Sequence, residues 1–177
     1  MKAVFDSFYN KYHQDLYNFV YYMVKNKQLT EDLIQEIYIR VIKSYNNFRG
    51  ESSEKTWLFS IARHVTYDYF RSQQRKRRYT NESFDWNEMG NYIPSEDSYP
   101  DEIAIQNESI HSIYKLLDAC TIDQKNVIVL RFIQGFSLEE TAKVLDFTVS
   151  KVKTTQHRGM NKLRNLLEQE NKKGGTS

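Results

Sequence analysis

Apolar residues recur at every third or fourth position along most of this chain, and the recurrence breaks at a few short places. Phe5, Phe8, Tyr9, Tyr12, Leu16, Phe19, Val20 and Met23 form the first stripe, which predicts an amphipathic helix. Gln28 and Leu29 read as a break. Thr30 then reads as the N-cap of a second helix, with Glu31 and Asp32 in the first turn, where carboxylates suit the helix dipole. That helix offers Leu33, Ile34, Ile37, Tyr38, Val41, Ile42 and Tyr45 to a core. Beyond Arg49-Gly50 and Ser52-Ser53, a third helix presents Leu58, Ile61, Ala62, Val65 and Tyr69. Three helices with short connections can close one core over about the first 76 residues.

Residues 80–102 hold both prolines and several Asn and Ser, with no clear period, and read as a linker. Periodicity returns with Ile103, Ile110, Ile113 and Leu117. Thr121 to Gln124 fits a capping box, Val127 to Ile133 continues that helix, and Gly135 ends it. Ser137 to Glu140 is a second capping box that opens a short helix through Leu145. Asp146-Phe147-Thr148 turns the chain into a last helix from Val149 to about Glu168. The expected fold is all-α: a helical domain over 1–79, an acidic linker over 80–102, and a second helical domain over 103–177.

Composition narrows the class. Among 177 residues, two prolines and six glycines favour helices. No run of about 18 apolar residues suggests a membrane span, and the N-terminus lacks the apolar region of a signal peptide. One cysteine, Cys120, excludes an internal disulfide framework and fits a reducing cytoplasm. One cysteine and four scattered histidines argue against a structural zinc site, and no cofactor is expected. The net charge of +2 conceals a segregated pattern. Arg71 to Arg78 holds five basic residues in eight, whereas Asn81 to Glu102 holds seven acidic residues and no Lys or Arg. The C-terminal region is basic again. Such alternation suggests two cationic surfaces separated by an anionic connector.

Ser137 to Met160 has the layout of a helix-turn-helix. On its second helix Val149, Val152, Gln156, Met160 and Leu163 fall in one sector, with Lys151, Thr154 and Arg158 opposite. A helix docked by that apolar stripe exposes a polar face suited to a major groove. Ser150, Lys151, Thr154 and Thr155 lie at the end that reaches base edges, while Lys153, His157 and Arg158 are placed for phosphates. The same charges could also form an ordinary solvated face. Gly159 stands inside the helix with no local reason in the sequence.

In the first half, Asp32, Gln35, Glu36, Ile39 and Lys43 share a face away from the core stripe, so an exposed isoleucine sits among polar groups. That composition suits a protein-binding surface with an apolar centre, or a solvated face with one stray apolar residue. The third helix interleaves Trp57, Phe59, Tyr67 and Phe70 with Arg63, Arg71 and Arg75. Single-stranded DNA binders use that mixture to stack bases and neutralise phosphates; alternatively, Trp57 and Phe59 are core residues.

Together these segments resemble the extracytoplasmic-function group of sigma-70 family sigma factors. Thr30-Glu-Asp-Leu-Ile-Gln-Glu36 with Tyr38 and Val41 is similar to that family's polymerase-binding motif. Thr56-Trp-Leu-Phe-Ser-Ile-Ala-Arg63 and Asp68-Tyr-Phe-Arg71 resemble its −10 element helix, and Val129 to Arg158 its −35 domain. Ser53-Glu-Lys-Thr-Trp57 and Lys153-Thr-Thr-Gln-His-Arg-Gly159 resemble the sigma-X branch. Three departures stand out. Asp146 replaces a usual Gly in the turn, Thr155-Gln156 replaces a common Arg-Leu pair, and Thr121 caps where the family has Leu-Pro.

The resemblance implies a transcription initiation factor with no chemistry of its own, serving cell-envelope or stress-response genes. Asp32, Gln35, Glu36 and Ile39 would bind core RNA polymerase, whose β′ and β subunits are the expected partners. Asn46, Ser52, Ser53, Trp57, Arg63, Tyr67, Arg71 and Arg75 would take the melted −10 strand of promoter DNA. Ser150, Lys151, Lys153, Thr154, Thr155, His157 and Arg158 would read the −35 duplex. A cytoplasmic chain held by an anti-sigma factor, often membrane-bound, is the regulatory expectation, and no small-molecule substrate is expected. The competing reading is a one-component helix-turn-helix regulator that binds DNA without polymerase. A nucleic-acid enzyme is disfavoured, because no Gly-rich phosphate loop, metal cluster or nucleophile–base spacing is present.

Overall fold

The computed structural model describes residues 2–78 and 108–174; the linker expected over 80–102 lies outside them. Among the described residues every regular element is helical. The first half comprises α1 (Lys2–Val24), α2 (Lys27–Ser44), a 3₁₀ turn (Tyr45–Asn47) and α3 (Glu54–Arg78). The second comprises α4 (Glu108–Leu117), α5 (Ile122–Ile128), a wide turn (Val129–Ile133), α6 (Leu138–Leu145) and α7 (Val149–Gly174).

Helices α1, α2 and α3 pack on one another around Leu16, Phe19, Val20, Ile37, Val41, Leu58 and Phe59, all essentially without exposure. Each such side chain contributes roughly 1.5–3 kcal/mol relative to an exposed one. The boundary between α1 and α2 differs from the sequence expectation. Lys25 adopts a left-handed backbone (φ 51°) that ends α1, and Asn26 caps α2 by accepting the Leu29 amide at 2.8 Å. Thr30 is buried one turn inside, its hydroxyl donating to the Asn26 carbonyl at 2.8 Å. Asparagine is as good a cap as threonine, and starting at Lys27 removes the need for any connecting loop.

In the second half α5 and α6 pack on α7. Both capping boxes form: Thr121 with Gln124, and Ser137 with Glu140. After α5 the chain widens, with Gln134 donating its amide to Val129 five residues back, and Gly135 (φ 74°) turns it towards α6. Phe132, in this wide turn, is 53% exposed. Asp146 takes the left-handed conformation (φ 57°) required between α6 and α7, so the turn survives without glycine.

The reason for Gly159 is tertiary. A Cβ there would stand 2.7 Å from Ile128 Cδ1 and 3.3 Å from Gln124 Cβ, so only glycine lets α7 approach α5 this closely. The buried stripe of α7 is accordingly turned from its expected sector. Val152, Gly159 and Leu163 are buried, while Met160, expected to face inward, is 37% exposed.

The two halves share one apolar cluster. Phe59 of α3 contacts Phe19 on one side and Phe136, just before α6, on the other, each with ring centroids 5.1 Å apart. Tyr22 of α1 stacks on Tyr114 of α4, and Lys25 forms an ion pair with Asp118. Asp118 also accepts from Lys125 at 3.0 Å, a lysine that is almost fully buried. Burial, chiefly, and the neighbouring Lys25 pull that ammonium down to about 8, while Asp118 opposes the shift.

Candidate nucleic-acid and protein interfaces

Three surfaces gather the residues singled out by the sequence. The first is the outer face of α2, where Asp32, Gln35, Glu36 and Ile39 are all exposed, Ile39 at 46%. Gln35 and Ile39 also line a groove of ≈ 820 Å³ between α1 and α2, walled by Phe5, Tyr9, His13 and Tyr38. His13 stacks on Tyr9 with ring centroids 4.2 Å apart, and its Nδ1 is 3.2 Å from the Tyr38 hydroxyl. Burial first, and Tyr9 second, raise the Tyr38 hydroxyl above its ordinary range. Arg40 donates to Glu36 at 2.9 Å and to Asp68 of α3 at 3.3 Å, tying the face to the next helix. Its guanidinium is stabilised chiefly by the hydrogen bond to Glu36. The periodic reading located the carboxylates but not the groove. One wall comes from α1 residues assigned wholly to the core, and Tyr9 is in fact 43% exposed.

The second surface is the 3₁₀ turn, the following loop and α3. Asn46, Ser53, Arg71 and Arg75 are exposed, and Ser52 is half-buried. Ser53 caps α3, its Oγ accepting the Thr56 amide at 3.1 Å. Trp57 is half-buried against Phe48, with ring centroids 4.8 Å apart, and against Phe8 at 6.0 Å. The Arg63 guanidinium lies 4.4 Å over the Tyr67 ring, and the Tyr67 hydroxyl accepts from Asn126 of α5 at 3.2 Å. Burial is the main reason the Tyr67 hydroxyl is raised, with Asp123 adding to it. The aromatic–arginine mixture seen in the sequence therefore divides. Phe59 and Phe70 belong to the core, while Trp57 and Tyr67 sit at its edge.

The third surface is the exposed face of α7, whose first turns border the start of α5 at Asp123. Ser150, Lys151, Lys153, Thr154, His157 and Arg158 are exposed and Thr155 is half-buried. Thr148 caps the helix by accepting the Lys151 amide at 3.1 Å. The Lys151 ammonium lies 3.5 Å from the centre of the Phe147 ring and 3.5 Å from Asp123, which holds it over the first turn. His157 Nε2 is 3.0 Å from Asn161 Nδ2. Behind this face Arg131 braces the motif, donating to Gln156 at 3.1 Å and to the Phe136 carbonyl. Among the described residues no group of acidic, His and Cys side chains could hold a metal ion, and no helix is long and apolar enough to cross a membrane.

A helix-turn-helix with an exposed cationic face follows a helical unit that carries an aromatic-lined groove. The sigma-70 region 2 family matches residues 8–76, and the sigma-70 region 4 family matches residues 116–165. The chain belongs to the sigma-70 family of RNA polymerase sigma factors, in its extracytoplasmic-function group. It is 56% identical to the ECF RNA polymerase sigma factor SigX of Bacillus subtilis over 95% of this chain and 86% of that protein, which places it in the sigma-X branch. It is also 28% identical to RNA polymerase sigma factor YlaC of the same organism, over 86% of each. Two solved structures share the fold, both with TM-score 0.65. One is the sigma factor RpoE in complex with the anti-sigma factor NepR from Bartonella quintana, at 24% identity over 87% of this chain and 90% of that one. The other is CnrH in complex with the cytosolic domain of CnrY, at 18% identity over 95% of this chain and 90% of that one.

Proposed function

We propose that the three surfaces divide the work of promoter recognition. The unit over 1–79 grips core polymerase through Asp32, Gln35, Glu36 and Ile39. It takes the melted −10 strand on Asn46, Ser52, Ser53, Trp57, Arg63, Tyr67, Arg71 and Arg75. The unit over 103–177 reads the −35 duplex with Ser150, Lys151, Lys153, Thr154, Thr155, His157 and Arg158, and residues 80–102 tether the two. The chain contributes recognition alone and catalyses nothing; the polymerase supplies the chemistry. Joining two weak DNA-binding surfaces through one polymerase raises their effective concentration, so promoter binding needs the core enzyme. The observation that carries this reading is the exposed Ile39, ringed by Gln35 and Glu36 beside an aromatic groove: an apolar centre with a polar rim.

Regulation follows the relatives. The structures of RpoE with NepR and of CnrH with CnrY support an anti-sigma factor as the inhibitor of this chain, which would keep a cytoplasmic sigma factor at the membrane where that partner is anchored. Replacing Asp32 and Glu36 together by Lys is expected to abolish co-purification with core polymerase while the helical circular dichroism stays unchanged. Arg40→Ala, which loses the same Glu36 ion pair without reversing charge, serves as the control and should retain binding. Undiminished co-purification of the double variant would refute the assignment of this face.

A further inference from the structure

We propose that Asp123 belongs to the −35 reading surface, where it and Lys151 act as one unit that reads a single G·C base pair across both strands. This rests on the assignment of the first turns of α7 to the −35 duplex, and adds a specificity-determining residue from another helix.

Three parts of the chain build the pair. Lys151 stands in the first turn of α7 and Asp123 in the first turn of α5. Their charged ends lie 3.5 Å apart, and both side chains face one open concavity of ≈ 500 Å³ shared with Ser150, Thr154 and Arg158. Phe147, in the turn before α7, supplies the floor, its ring centre 3.5 Å from the Lys151 ammonium. The neighbouring hydroxyls are spent on helix caps. Thr148 Oγ1 accepts the Lys151 amide at 3.1 Å, and Thr121 Oγ1 accepts the Gln124 amide at 3.3 Å. Asp123 instead turns its carboxylate to Lys151.

Stability alone does not account for this arrangement. The two side chains are 50% and 39% exposed, a setting in which an ion pair contributes about 0–1 kcal/mol. Their separation exceeds the roughly 2.7–2.9 Å of a charge-assisted hydrogen bond, so ammonium and carboxylate lie side by side with donors and acceptors to spare. A phosphate would meet both charges at once, and the two largely cancel. A neutral base edge meets a donor beside an acceptor. Ring and carboxylate hold Lys151 in advance, which lowers the ordering cost of such a contact.

The spacing matches one kind of pair. Guanine O6 and cytosine N4 are joined by a Watson–Crick hydrogen bond, so they stand about 2.9 Å apart in the major groove, acceptor beside donor. Lys151 donates to guanine O6 and N7 while Asp123 accepts from cytosine N4. A·T and C·G present donor and acceptor in the opposite order. T·A keeps the order but puts the thymine methyl where guanine offers N7.

The test uses holoenzyme assembled from the full chain and core polymerase, which selects from a pool of random-sequence duplex DNA; the bound fraction is sequenced and aligned. One G·C position is expected to be preferred about tenfold or more over A·T and C·G, in the range of one good base contact. Asp123→Ala and Lys151→Ala should each relax that same position, and the double variant should relax it no further. Alanine keeps α5 helical, which unchanged circular dichroism and retained co-purification with core polymerase verify. Relaxation by Lys151→Ala alone would overturn the pair and leave the −35 assignment standing. So would relaxation at two different positions, or a shared position that is not G·C. A uniform gain in affinity of Asp123→Ala with every preference kept would reduce Asp123 to a repulsive charge and refute the proposal. Unchanged preferences in both single variants would remove this turn of α7 from the −35 surface, and the proposal with it.

Discussion

Two helices of this sigma factor carry arginine and lysine on the surfaces proposed above for DNA, yet the fold leaves them in opposite conditions. α7 is docked through a narrow stripe of Val152, Gly159 and Leu163 and keeps its polar face in solvent. α3 is docked on two sides, with Leu58, Phe59, Ala62 and Val65 in the core and Tyr67 bound to Asn126 of the other half. The difference suits the chemistry each helix faces. A duplex groove is read by a rigid protruding helix whose side chains are ready. A melted strand is captured by stacking on aromatic groups while cationic groups neutralise its phosphates.

The contrast can be broken most severely at Phe59. Phe59→Ala removes the ring that joins α1, α3 and the α6 approach, and a loss of about 3–5 kcal/mol is expected by denaturant unfolding. Because that ring touches both halves, they should unfold in one transition at lower denaturant. Two separate transitions with the second half unmoved would disprove a shared core. Gly159→Val tests the other helix alone. Overpacking against Ile128 and Gln124 should cost about 1–3 kcal/mol and displace α7, with −35 binding lost and polymerase affinity retained.

A gentler test uses pH. Lys125 is depressed to about 8 in the folded chain against an ordinary 10.5, so between these values the unfolded chain binds more protons and stability rises with pH. From pH 7.5 to 9 the gain should be about 1 kcal/mol by denaturant titration, and Lys125→Met should flatten it. Above pH 9 the buried Cys120 thiol, raised mainly by burial, acts the opposite way: it keeps its proton when folded, so stability falls as the unfolded thiol ionises. A wild-type profile without the rise would mean that Lys125 is not buried as described. The smallest effect is expected at Lys153→Ala on the exposed face of α7. Without that ammonium to neutralise a phosphate, the salt dependence of −35 binding should fall by about one counterion while sequence preference stays unchanged. Altered preference would move Lys153 to the base edges.

Much of this was legible along the chain, because helix periodicity and capping are local. The stripes of α1, α2 and α3, the boxes Thr121–Gln124 and Ser137–Glu140, and the polar face Lys151, Thr154 and Arg158 all depend on residues within a turn or two of each other. The errors arose where neighbours distant in sequence intervene. Asn26 rather than Thr30 starts α2, because α1 ends in a left-handed Lys25 that brings the chain straight back. Met160 faces outward because Gly159, against Ile128, sets the rotation of α7.

Sequence alone therefore determined the helices, their polar faces and the family, since each is written in spacing and residue type. Tertiary structure decided which of those faces meets water. Phe59 lies inside, and Tyr67 and Arg63 lie at a seam, because Asn126, Phe136 and Glu140 arrive from some sixty to eighty residues away. No local period encodes such an encounter; it follows from apolar surfaces of both halves finding their lowest exposure together.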